Sequence, residues 1–131
     1  MANVKRYYLP LAAWAAVLVA FAVISLPEAP QPVRLNVDKM RHAAAYALLG
    51  ALAARAFAGA VGRGGTVAFV ASFFLVFGVG VSTEIIQLFI PARSADIVDL
   101  GADLAGGVAG ALLYLWAFRG GGVNAPREAP S

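Results

Sequence analysis

The chain has 131 residues, enough for one domain, and 61% of them are hydrophobic while only 13% are charged. A soluble domain has about a quarter of its residues charged, so water is not the expected main solvent. The net charge is +3, but the ten Lys and Arg residues are scattered and form no basic stripe, so we predict no nucleic-acid partner. The absence of cysteine excludes disulfides, thiolate metal sites and a cysteine nucleophile.

The first apolar block predicts a membrane-spanning helix over residues 7–26, since about 20 apolar residues are needed to cross the bilayer. Lys5 and Arg6 precede it, and three prolines from Pro27 to Pro32 end it. A cleavable signal peptide is the alternative. The run is long for such a peptide, and no clean A-x-A cleavage site follows it.

Three further blocks predict three more helices. The second starts near Asp38, with Asn36 as its N-cap, and ends near Arg63 in a glycine-rich turn at 62–65. The third covers residues 66–90 and is closed by Pro91.

The fourth helix is predicted to start at Ser94 or Asp96 and to end between residues 116 and 119. The Gly- and Pro-rich residues 120–131 lack an apolar period and predict a disordered C-terminal tail. The predicted fold is therefore all-α: residues 1–119 form an integral membrane bundle of four transmembrane helices.

The basic residues give a prediction of orientation in the membrane. With four spans, both termini lie on the same side of the membrane. That side has six basic residues: Lys5, Arg6, Arg55, Arg63, Arg119 and Arg127. The other side has four: Arg34, Lys39, Arg41 and Arg93. The excess predicts a multi-pass protein of the cell membrane with both termini cytoplasmic.

Acidic residues concentrate on the side away from the termini, where six of the seven lie: Glu28, Asp38, Glu84, Asp96, Asp99 and Asp103. Acidic residues contribute little to topology, so this skew needs another cause. In the second helix Asp38, His42 and Tyr46 are spaced by four and share a face. In the third, Glu84 and Gln87 are three apart and also share a face.

In the fourth helix the polar face coincides with a stripe of small residues. Asp96, Asp99 and Asp103 continue into Gly106 and Gly110, and small residues spaced by four allow close helix packing. That face must point into the bundle because lipid cannot satisfy carboxylates. Since successive helices alternate in direction, the three polar stripes are expected to meet at one membrane face.

Simpler roles are open for most of these residues. Asp38 would complement a helix dipole, Asp96 would cap a helix, Arg93 would mark the interface, and Tyr46 and His42 would pack in the core. Glu84 and Asp103 lie too deep for capping, so they indicate a functional site or an ion pair. We predict that Arg93 pairs with Glu84 or Asp99.

The polar residues form three ordered motifs across about residues 36–115, which resemble the VanZ-like family of small bacterial membrane proteins. The motifs are Asp38-Lys39-x-x-His42-x-x-x-Tyr46, Glu84-x-x-Gln87-x-Phe89-x-Pro91-x-Arg93 and Asp96-x-x-Asp99-x-x-x-Asp103-x-x-Gly106. The family commonly shows Asn or Asp at the position of Asp103. It takes its name from a protein linked to resistance to teicoplanin, a glycopeptide antibiotic that acts on the cell wall. The resemblance implies a role in the cell envelope and in antibiotic resistance, without identifying a reaction.

We predict that the protein binds or acts on an envelope component at an outward-facing polar site, with membrane lipids and a glycopeptide or lipid-linked ligand as partners. The alternatives are a membrane-embedded enzyme that uses the His, Glu and Asp side chains, and a proton-linked transporter. We predict no cofactor and no metal, because a single histidine is few for a transition-metal site. The predicted site residues are Asp38, Lys39, His42, Tyr46, Glu84, Gln87, Arg93, Asp96, Asp99 and Asp103.

Overall fold

The computed structural model describes residues 2–24, 33–61, 65–91 and 93–118, and it is helical without strands over these ranges. The all-α prediction is therefore confirmed. The four helices are α1 (Ala2–Val23), α2 (Val33–Val61), α3 (Gly65–Leu88) and α4 (Ile97–Ala117).

Two helices begin earlier than the sequence patterns predicted. α1 begins at Ala2, and α2 begins at Val33, so Asn36 lies inside α2 and the prediction that it is the N-cap was wrong. Residues 62–64 of the predicted turn and the predicted tail at 120–131 lie outside the described residues.

Three helices, α1, α3 and α4, are long and apolar enough to cross a membrane. α2 is less apolar because its first half carries Asp38, Lys39, Arg41 and His42. Many large apolar side chains, such as that of Phe74, are exposed on the outside of the bundle, where lipid is a suitable solvent for them. These features fit a membrane protein.

α4 packs most extensively against α2, and glycines allow it to do so. A Cβ atom added at Gly106 or Gly110 would overlap the backbone carbonyl of Ala43 or Ala47, respectively. The two backbones are thus in direct contact, as the spacing of the glycines predicted. This contact fixes the distance between the helices that carry most of the polar residues.

α1 packs on α2 and α3. The Trp14 indole N–H donates a hydrogen bond of 2.9 Å to the carbonyl oxygen of Ala45, and Leu11 and Leu18 of α1 are buried. Near the start of α1, the guanidinium of Arg55 in α2 lies 5.2 Å from the ring centroid of Tyr7. The two helices therefore run antiparallel, with the end of α1 near the start of α2.

Candidate functional site

The start of α2, the end of α3 and the start of α4 meet at one end of the bundle, as the alternation of helix directions predicted. Their side chains form a group that we name the polar cluster. It consists of Asp38, Lys39, His42, Tyr46, Thr83, Glu84, Asp96, Asp99 and Asp103.

Lys39 joins α2 to the start of α4. Its ammonium group donates a hydrogen bond of 2.9 Å to Asp96 Oδ2 and another to Asp99 Oδ1. Asp96 is the N-cap of α4, as the sequence suggested, because its Oδ1 accepts a hydrogen bond of 2.8 Å from the Val98 N–H. The pKa of Asp96 is lowered, first by the hydrogen bond from Lys39 and then by the one from Val98.

His42 forms the second link between α2 and α4. Its Nδ1 lies 2.8 Å from Asp103 Oδ1, and Asp103 is completely buried. When Asp103 is ionised it can only accept, so Nδ1 is then the donor and a neutral His42 keeps its lone pair on Nε2. Nε2 lies 4.0 Å from Asp99 Oδ2, which is too far for a hydrogen bond.

Glu84 links α3 to the start of α4. Its Oε2 accepts a hydrogen bond of 2.8 Å from the backbone N–H of Asp96. Its other oxygen, Oε1, is buried and has no hydrogen-bond partner, and the same is true of Asp103 Oδ2. Both residues are buried in the bundle, with Glu84 8% exposed and Asp103 0% exposed. Each thus brings an unused acceptor into the protein interior.

Tyr46 contacts a residue that the sequence analysis missed. Its hydroxyl lies 2.9 Å from Thr83 Oγ1, and Thr83 in turn donates to the carbonyl of Gly80 at 2.8 Å. Because the Thr83 proton is used in that bond, Tyr46 is the donor in the first one. Thr83 precedes Glu84 in the sequence, but nothing in its spacing distinguishes it from a threonine that bonds only to its own helix.

Arg93 does not form the predicted ion pair with Glu84 or Asp99, so that prediction was wrong. Its Nη2 donates hydrogen bonds of 2.9 Å to the carbonyl oxygen of Phe21 and 2.6 Å to that of Ile24. These carbonyls belong to the end of α1, where the last backbone acceptors lack partners within the helix and the helix dipole is negative. Lys39, not Arg93, is the cation that binds Asp99.

The remaining predicted site residues lie beside these contacts. One ligand-type atom from each of Asp38, His42 and Asp99 falls within 4.8 Å of the others. Gln87 is buried on α3, three residues beyond Glu84 and therefore on the same face. Of the ten predicted site residues, eight thus lie in the polar cluster, Gln87 lies on the same face of α3 as Glu84, and Arg93 contacts α1 instead.

Carboxyl groups are the most numerous ionisable groups of the cluster. Asp38, Asp96, Asp99, Asp103 and Glu84 supply five carboxylates, whereas Lys39 is the cation that contacts them among the described residues. The free hydrogen-bonding atoms are acceptors, namely Glu84 Oε1, Asp103 Oδ2 and, in the neutral form, His42 Nε2. Such a site is suited to a ligand that brings positive charge or hydrogen-bond donors.

The family model described as VanZ/LLP1 matches residues 3–118 of the chain. This range includes all four helices and the whole polar cluster, and the match confirms the resemblance seen in the three motifs. Neither the curated proteins nor the solved structures contain a match to this chain.

Proposed function

The chain belongs to the VanZ/LLP1 family, and we propose that it is a membrane protein that binds a cell-envelope component through the polar cluster. We further propose that all four helices span the cell membrane with both termini in the cytoplasm, so that the cluster faces outward. The excess of basic residues on the side of the termini supports this orientation. The packing of the less apolar α2 against α1, α3 and α4 supports a fourth span.

The observation that carries the proposal is the pair of unpartnered buried oxygens, Glu84 Oε1 and Asp103 Oδ2. A buried acceptor without a hydrogen bond costs about 1–3 kcal/mol, and more when it is charged. A chain that kept these carboxylates only for stability would be expected to pair them. A ligand with hydrogen-bond donors would offset the cost.

The chemistry of the free atoms indicates the class of ligand. Lys39 is already bound to carboxylates, and Arg93 lies outside the cluster, where Nη2 binds backbone carbonyls and the buried Nε has no hydrogen-bond partner among the described residues. The cluster itself therefore offers mainly acceptors. Amine and hydroxyl groups complement such a surface. Sugars and amino groups of a glycopeptide, a wall precursor or a lipid head group supply them, and an attached acyl chain would lie against the exposed apolar faces of the helices.

A second candidate, a membrane-embedded enzyme, is favoured by one contact. Asp103 orients His42 through Nδ1, which leaves Nε2 able to accept a proton, as in a general base held by a carboxylate. Acyl transfer would also need an activated nucleophile. Because the described part of the cluster shows no serine bonded to His42, we place binding before catalysis.

Native mass spectrometry of the protein purified from membranes in mild detergent tests the proposal. The wild type should carry a discrete lipid-linked adduct, and Glu84→Gln should lose most of it. Glutamine can still accept the Asp96 N–H bond, so the fold is kept, while the free acceptor Oε1 becomes a donor. In cells, Glu84→Gln and Asp99→Asn should abolish a change in glycopeptide sensitivity caused by the wild type.

Arg41→Gln is the matched control, because Arg41 lies on the same part of α2 but is exposed. It should keep both the adduct and the cellular phenotype. The proposal fails if Glu84→Gln and Asp99→Asn fold with normal yield and retain both. Conversion of the adduct to a new mass during incubation, lost in His42→Gln, would favour the enzyme instead.

A further inference from the structure

We propose that Asp38, His42 and Asp99 form a binding site for one divalent transition-metal ion, such as Zn²⁺ or Mn²⁺. One ligand-type atom from each residue lies within 4.8 Å of the other two. Nitrogen and oxygen ligands lie about 2.0–2.2 Å from zinc, so two ligands of one ion are separated by up to about 4.4 Å. Small rotations of these side chains would therefore bring all three into coordination distance.

The orientation of His42 supports this site. Histidines that bind metals almost always donate their second ring N–H to a carboxylate or carbonyl, which fixes the ring and its tautomer. His42 makes this contact through Nδ1 to the fully buried Asp103, at 2.8 Å. Nε2 is left facing Asp99 Oδ2 at 4.0 Å, a separation that one ion between them can span.

The charges around the site are a further reason to expect a cationic ligand. Lys39 occupies Asp99 Oδ1 and leaves Oδ2 free on the side of His42. Asp103 and Glu84, which are at least nine-tenths buried, each keep one oxygen without a partner. A divalent ion would offset this excess of carboxylates, which a single ammonium group cannot balance.

The ligand set indicates the kind of metal. One imidazole and two carboxylates, from α2 and α4, suit Zn²⁺ or Mn²⁺ better than Ca²⁺, which prefers six to eight oxygen ligands. Three protein ligands leave coordination positions open for water or an external oxygen. The sequence analysis predicted no metal because it counted one histidine. Within the enzyme alternative, Asp99 was already a possible ligand together with His42, and Asp38 becomes one only when the structure places it beside them.

Metal binding to the purified full-length protein tests the inference without any lipid, so it can fail independently of the proposed binding of an envelope component. After treatment with a chelator, the protein in detergent is titrated with Zn²⁺ and with Mn²⁺ by calorimetry. We expect one ion per chain. Asp38→Asn should weaken binding about ten-fold or more, because it removes one of the three proposed ligands.

Asp96→Asn is the matched control, since it removes a carboxylate at the same end of the bundle that is not one of the three ligands. It should change the affinity by less than about three-fold, as expected for the loss of one charge at the edge of the cluster. Pulsed electron paramagnetic resonance of bound Mn²⁺ should show coupling to an imidazole nitrogen, whether or not any variant folds. No stoichiometric binding, equal weakening by Asp38→Asn and Asp96→Asn, or no nitrogen coupling would each overturn the inference.

Discussion

The interface between α2 and α4 has two halves that are held together in different ways. In the polar half, Lys39 and His42 of α2 reach Asp99 and Asp103 of α4 through side-chain hydrogen bonds. In the glycine half, the backbone of α4 at Gly106 and Gly110 rests directly on that of α2. The first half contains the ionisable groups, and in the second the two backbones meet directly.

The comparison shows that the spacing of the two helices is set outside the polar cluster. Gly106 is three residues from Asp103, and Ala43, which it contacts, directly follows His42. The 2.8 Å bond between His42 and Asp103 therefore lies within one turn of a backbone contact that has no room to adjust. The glycines position the site although they take no part in its chemistry.

Gly106→Ala should cause the largest loss of stability, because it would disrupt the backbone contact in the glycine half. The new Cβ would overlap the carbonyl of Ala43, which is backbone and cannot rotate away, so α4 must move. Overpacking of this kind costs about 1–3 kcal/mol and occasionally more, and we expect the upper end. The thermal midpoint in detergent and the folded yield measure the loss.

Gly101→Ala is the control for that change. Gly101 lies on the same helix, is exposed, and has nothing within 4 Å of the position of an added Cβ. Alanine is the better helix former by about 1 kcal/mol, so this variant should be as stable as the wild type or slightly more stable. Equal losses at both positions would mean that the glycine half does not set the spacing.

Most of the fold could be predicted from the sequence, because the apolar blocks have the length of membrane spans and prolines or glycines separate them. The convergence of Asp38, Glu84 and Asp103 followed from alternating helix directions, and the glycine contacts followed from the spacing of four. Helix starts were harder to predict. The sequence offered Asn36 as a capping residue, but the helix begins three residues earlier, at Val33.

The partners within the site could be predicted only in part. Several basic side chains were possible partners for the acidic ones. The spacing of residues within one helix does not show which basic side chain faces a carboxylate on a neighbouring helix. The contact of Arg93 with the end of α1 could not be predicted, because backbone carbonyls at a helix end leave no trace in residue identity. Thr83 was missed for a similar reason, since its partner Tyr46 lies on a different helix.

A double-mutant cycle tests whether Arg93 is energetically independent of the polar cluster. Arg93→Met should lower the free energy of unfolding by about 1–2 kcal/mol, because it removes charged hydrogen bonds to α1. Arg93 does not contact Glu84. The losses of unfolding free energy caused by Arg93→Met and Glu84→Gln should therefore add within about 0.5 kcal/mol in the double variant.

The contrasting cycle is Lys39→Met with Asp99→Asn, two residues in direct contact. Here the losses should deviate from additivity by about 0.5 kcal/mol or more. Thermal unfolding in one detergent, under identical conditions, compares the two cycles. Strong coupling between Arg93 and Glu84 would contradict the assignment of Arg93 to the end of α1.

The smallest expected effect concerns Asp96, at the outer edge of the polar half. Its pKa is lowered in the folded protein, chiefly by Lys39, so the ionised form favours folding. This contribution is fully present above the ordinary pKa of an aspartate and is lost as the pH falls through the lower folded value.

Asn is as good an N-cap as Asp, so Asp96→Asn removes the charge and keeps the cap. The thermal midpoint of the wild type should therefore lie slightly above that of Asp96→Asn near neutral pH, by a small amount because Lys39 still binds Asp99 in the variant. It should then fall more steeply than that of the variant between about pH 5 and about pH 3, so that the two midpoints converge in acid. Identical slopes would show that the bond from Lys39 to Asp96 contributes nothing measurable, and would leave the bond to Asp99 as the contact through which Lys39 joins the two helices.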